Sequence, residues 1–437
     1  MILLEYLLQK QQNKHRLLLI IVLEVSPVPK ATSHITFIFL FITALTGIIM
    51  RYTLLSTNQS LIPYSFLLHG HSHIALLGWT FLGVFLIFLK LTWHELNAKN
   101  QAIWIVVSTL FITSLMFIAF LYQGYAVYSI IFSTLHIGIE YWMVVFIFKR
   151  LKEMNNMPTY SRLFIKGALI SLVISSVGPF ALGGFGMAGM KESPLFEMAI
   201  YFFLHFQYNG WLYLMLIGTF LIILHKKNIR FQHRLIQSSF WIYFISLFPA
   251  YVLSILWYGL GMTGKILAIF GSAGQFISII LLVTAILQKR KAIQEQFTQH
   301  IQMSLLFIFM LLIAKSVMEF GLLHDFFATL IFDTRPVIVG YLHLMLLGFI
   351  SIFILTQYQI TGLLDEQKNT VLYGLAIFIF GFVINELVLF ISGLAGWNGW
   401  NIPFTNELLF IASILLLIGI LLIWSSRFLK VKTDKPS

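Results

Sequence analysis

Six histidines lie inside apolar stretches of the chain: His69, His71, His73, His136, His205 and His343. A neutral imidazole offers one ring lone pair, and that donor suits haem iron, copper and zinc. One such histidine is most simply a hydrogen-bonded packing residue. Several at one depth point to a cofactor, because ionisable groups in an apolar layer are costly and mark functional sites. Three of the contexts repeat: HSHIALLGW around His73, FLHFQYNGW around His205 and YLHLMLLGF around His343. In each, Gly and an aromatic follow five and six residues later, as Gly78–Trp79, Gly210–Trp211 and Gly348–Phe349. The intervals of 132 and 138 residues between these histidines are nearly equal, the signature of an internal repeat. A glycine at that position lets a neighbouring helix or a flat macrocycle approach.

Helical geometry sorts the remaining polar groups. Residues two apart point about 200° from each other, so His71 and His73 address different partners, and so do Tyr341 and His343. His69 and His73 share a face. Glu140 stands one turn from His136. Lys315 and Glu319 are also one turn apart and are expected to neutralise each other, and Glu386 is a further buried charge.

The elements that must position these groups are transmembrane helices. The chain has 437 residues, of which 59% are apolar and only 10% charged, with 43 Phe. Soluble domains carry about a quarter charged residues, so a single water-soluble domain is excluded, as is disorder. Twelve stretches approach or exceed the ~20 residues that a span needs: 32–50, 66–89, 102–122, 125–148, 163–188, 195–224, 236–261, 264–288, 302–322, 336–358, 370–393 and 404–426. The expected organisation is an N-terminal cytoplasmic or interfacial segment over 1–31, one membrane domain over 32–426 and a cytoplasmic tail over 427–437. Residues 16–25 follow a basic stretch as in a signal peptide, but the apolar run is short and no small-residue cleavage site follows.

Lys and Arg set the orientation. Twenty-three of the 28 fall in the termini and in the links after even-numbered stretches, against Arg51, Lys191, Lys265 and Arg335 on the other side. Both termini are therefore expected in the cytoplasm. The net charge of +12 then points to lipid headgroups and not to nucleic acid. His73, His136, His205 and His343 fall about 10–16 Å in from the outer ends of their helices, at 1.5 Å per residue. Cysteine is absent, which excludes disulfides, iron–sulfur clusters, thiolate copper and covalently attached c-type haem.

With twelve spans and one layer of histidines, the chain resembles subunit I of the haem–copper oxidase superfamily, the oxygen and nitric oxide reductases. The resemblance covers residues 32–426 and rests on topology and a few motifs. It implies three similar four-helix units and a low-spin haem b held by His73 and His343. It also implies a reaction centre near His205, with a second haem or copper there. The sequence departs from the family at two places. Tyr341 stands where span 10 would carry a second haem ligand. Span 7 has no histidine; Phe248, Pro249 and Tyr251 occupy the depth of the usual copper ligands, so a three-His copper site cannot be built. His136 is then a replacement ligand and His71 a partner for a haem propionate or a second metal.

The expectation is a haem-b-binding protein of a bacterial inner membrane, for electron transfer or handling of oxygen or nitric oxide. A cytochrome c-type or quinol donor and other membrane subunits would be its partners. Two alternatives stay open: an active reductase with an unusual second centre of His136, His205 and Tyr341, and a metal-ion transporter loaded through HGHSH, His69 to His73.

Overall fold

The computed structural model describes residues 28–56, 61–154, 156–324, 326–327, 331–332, 334–365 and 368–426. The expected N-terminal segment, up to residue 27, and the C-terminal tail lie outside the described residues. Within them the chain is all helical, with twelve helices long and apolar enough to cross a membrane. They are α1 (Thr32–Leu55), α2 (Tyr64–Thr92), α3 (Lys99–Gln123), α4 (Val127–Leu151), α5 (Thr159–Met187), α6 (Pro194–Lys226), α7 (His233–Tyr258), α8 (Gly261–Leu287), α9 (Gln299–Gly321), α10 (Arg335–Ile360), α11 (Asn369–Asn398) and α12 (Thr405–Ser425). Each matches one sequence-predicted stretch to within a few residues. The protein is an integral membrane protein, and the large apolar side chains exposed along its helices, such as Trp104, Phe111 and Phe270, suit contact with a lipid bilayer.

Three helices form the interior. In their most apolar windows, 89% of α2 and 94% of α6 are buried, against 33–50% for the other ten helices, with α10 at 50%. α10 joins these two through side chains that bond across the centre. Trp79 Nε1 donates to Ser351 Oγ at 2.9 Å. Gln357 Nε2 donates to the Leu216 carbonyl at 3.0 Å and accepts at Oε1 from Thr219 at 2.9 Å. Phe81 of α2 meets Trp211 of α6 at 5.9 Å between ring centroids.

The repeat in the sequence corresponds to a repeat in the fold. Each inner helix contains one π-helical segment: Ile74–Thr80, Phe206–Leu212 and Leu344–Ser351. Each begins on the residue after His73, His205 or His343, and each holds the Gly–aromatic pair of its motif. A Cβ on Gly78 would press on Phe39 of α1 and Thr113 of α3. On Gly210 it would meet Ser171 of α5 and Leu247 of α7, and on Gly348 Leu311 of α9 and Phe382 of α11. Every inner helix is thus wedged at its glycine between its two chain neighbours. The fourth helix of each unit reaches the next unit. Tyr141 of α4 bonds Ser176 of α5 at 2.5 Å, Lys315 of α9 donates to Gln275 of α8 at 3.1 Å, and Trp424 of α12 donates to His34 of α1 at 3.2 Å, closing the ring. Three four-helix units result, as the sequence predicts.

Two local features have sequence causes. Pro249 lacks an N–H and cannot continue the ladder of α7, so the helix tightens into a 3-10 segment over Tyr251–Tyr258. Gly271 of α8 packs there against backbone; a Cβ would lie 2.3 Å from Ala250 N. The π segments are the second feature: their widened turns release carbonyls from the regular ladder, and side chains from other helices take some of them.

Candidate functional site

The two ends of the inner helices differ sharply in packing. Beyond the π segments, eleven of the twelve residues Phe81–Thr92, twelve of the fourteen in Tyr213–Lys226 and eight of the nine in Ile352–Ile360 are buried. Before them, only Leu67 and Gly70 are buried in Tyr64–His73, Ala199 and His205 in Pro194–His205, and none in Arg335–His343. The histidines sit at this transition, on half-packed turns that lead into a close-packed base.

His343 lies within electrostatic range of His71 and Arg51. Its Nδ1 is buried without a hydrogen-bond partner. His71 points to α1, where Nδ1–H donates to the Thr43 carbonyl at 2.9 Å, with Thr46 Oγ1 at 3.2 Å. A donor bond from one ring nitrogen fixes the tautomer and leaves Nε2 with its lone pair, the usual second-shell arrangement of a ligating histidine. Gly47 completes the cradle: a Cβ there would lie 3.4 Å from His71 Cε1. Arg51 is in range of Arg335 as well, and Arg335 lies over the Tyr64 ring at 5.5 Å. Arg51 is half-buried and Arg335 exposed, and two neighbouring guanidinium groups suit an anion between them.

His73 faces the other way, as the two-residue spacing requires. Its Nδ1–H donates to the His69 carbonyl of its own helix at 2.9 Å, and its ring lies 4.3 Å from Phe120 of α3. Its electrostatic neighbours are His69 and His136. His69 packs on the same wall, 5.4 Å from the Tyr125 ring. In α2 it is His71 that is an electrostatic neighbour of His343, while His73, paired with His343 on sequence grounds, has His69 and His136 as its neighbours.

His136, His205 and Tyr341, the residues of the alternative second centre, occupy three separate settings. His136 is fully buried between α4 and α2, with Nδ1 3.0 Å from Glu140 Oε1 and Nε2 3.2 Å from the Leu77 carbonyl in the first π segment. His205 donates from Nε2 to the Leu247 carbonyl at 2.8 Å, while Asn209 Nδ2 lies 3.3 Å from its Nδ1. That carbonyl is open to it because the N–H of Tyr251 turns to Phe248 and Pro249 where the helix tightens. Both ring nitrogens of His136 and of His205 are therefore engaged by protein atoms. Tyr251 packs on His205 at 6.0 Å between ring centroids. Tyr341 donates to Glu319 Oε1 at 2.9 Å, and Lys315 Nζ lies 2.8 Å from the same oxygen. The Lys315–Glu319 neutralisation predicted from their spacing is present, extended by Gln275 and Tyr341. Among the described residues, no three His, Asp or Glu side chains converge as a metal-ion cage.

Sequence reasoning missed Arg51, Thr43, Gly47 and Gln275. Only Arg51 left a signal, as one of four basic residues on the sparsely charged side. Comparison with protein-family models and with curated proteins finds no match to the chain.

Proposed function

We propose that this protein binds one haem b between α1, α2 and α10, where His71 and His343 would hold its iron, and serves electron transfer or the handling of oxygen or nitric oxide. The observation that carries the reading is that His71, its tautomer set by Thr43, is an electrostatic neighbour of His343, whose Nδ1 is buried without a partner. Two imidazoles on one iron fit a donor set without cysteine. Gly47 gives the His71 ring clearance. Arg51 and Arg335 would meet the propionates through charge-assisted hydrogen bonds. A haem so held supplies a one-electron ferric–ferrous couple. The protein's own part is to orient the imidazoles, fix the His71 proton on Nδ1 and balance the propionate charge.

On this reading the face where even-numbered helices begin is the outer face of a bacterial inner membrane, as the distribution of Lys and Arg favours. The electron donor is a c-type cytochrome or a quinol. A normal three-His copper centre is not part of the proposal, because His136 and His205 spend both nitrogens on protein atoms. Purification followed by pyridine-haemochrome and metal analysis tests it. One haem b per chain is expected; a haem-free protein carrying another metal would overturn it.

A further inference from the structure

A cavity of ≈ 220 Å³ opens between α9, α10 and α11, and nothing in the haem reading uses it. Met318, Phe390, Trp397, Gly340, Tyr341 and Glu386 shape its wall. Met318 and Phe390 are 43% and 58% exposed on membrane-length helices, so the rim is open to the apolar side. The Trp397 indole N–H is already committed to Thr334 Oγ1 at 2.9 Å, and the Tyr341 hydroxyl donates to Glu319. Glu386 is the chemical exception in the wall. Its Oε1 accepts from Asn385 Nδ2 at 3.0 Å. Its Oε2 lies 3.8 Å from where a Cβ on Gly340 would stand, so the glycine keeps the wall open beside this oxygen.

We infer that the cavity binds the ring of a membrane-soluble hydroquinone or its quinone, with the Glu386 carboxylate accepting from the hydroquinone hydroxyl and the protonated carboxyl donating to the quinone carbonyl. Size supports one substituted ring: an apolar cavity of about 150 Å³ holds benzene, and the space here is larger by several substituent atoms. An acyl chain would fit the apolar wall but would leave Glu386 with no role, and a carboxyl group in a membrane is costly without one. A metal ion would need further ligands, and no three ionisable ligand groups cluster among the described residues. As the electron-donor site of a haem protein the inference rests on the reading above; as a binding site it does not.

The test is titration of the purified full-length protein in detergent with a short-chain quinone (decylubiquinone), read as quenching of tryptophan fluorescence. Saturable quenching is expected, its saturable part lost in Trp397→Phe. Glu386→Leu and Gly340→Val should each raise the apparent Kd about tenfold or more, the weight of one buried hydrogen bond or of a filled pocket. A Cβ at Gly340 would meet only ordinary contacts at 3.6–4.0 Å, and size-exclusion chromatography of the variant checks its fold. Quenching that does not saturate, that is unchanged in both variants, or that phospholipid displaces as well as a second quinone does, would overturn the inference. Haem content measured on the same samples separates the two proposals: haem without quinone binding sinks this one alone, and quinone binding without haem sinks the other.

Discussion

The halves of the three inner helices on either side of their π segments obey different rules. In Phe81–Thr92 every residue but Lys90 is buried, and contacts such as Trp79 to Ser351 lock the helices together. In Tyr64–His73 and Arg335–His343 the helices are loosely packed and carry the histidines, Arg335 and Tyr341. One half holds the bundle and the other leaves room for chemistry. The π segments form the boundary, where a widened turn reorients the helix without ending it.

Substitutions sharpen the contrast, and the largest effect belongs to the packed regions. A side chain at Gly271 would overlap the Ala250 backbone, so Gly271→Leu should yield no folded protein in detergent, judged by size-exclusion chromatography. Next comes Lys315→Met, which strands Glu319 beneath Tyr341 and should cost about 3–5 kcal/mol, the range for breaking a buried pair. The double change Lys315→Met with Glu319→Met should recover most of that, since an apolar pair of similar volume leaves no charge behind. Phe85→Ala, in the packed half, should cost about 3–5 kcal/mol by cavity formation. In the loose half, exposed Ser72→Ala should move stability by less than about 0.5 kcal/mol. Equal losses for Phe85→Ala and Ser72→Ala in a thermal unfolding series would break the comparison.

Much of this was legible in the residues. Apolar length alone marks the twelve spans, and the even recurrence of His, Gly and an aromatic marks the three units, because one glycine lets each inner helix sit between its neighbours. The i, i+4 spacing of Lys315 and Glu319 was enough to pair them. The choice between His71 and His73 was not legible. Both stand on one turn, and what separates them is the Thr43 carbonyl and Gly47 of another helix, an arrangement that no local spacing encodes. For the same reason His136 and His205 looked like free ligands. Their partners are the Leu77 and Leu247 carbonyls, opened by a π turn in one case and by Pro249 in the other.

The assignment of the loose half as a haem site is decided most directly by the reduced-minus-oxidised visible spectrum of His71→Ala beside His73→Ala. The account predicts that the low-spin haem b bands vanish in His71→Ala, as they should in His343→Ala, and persist in His73→Ala, whose ring is turned to Phe120. Bands lost in His73→Ala but retained in His71→Ala would contradict it.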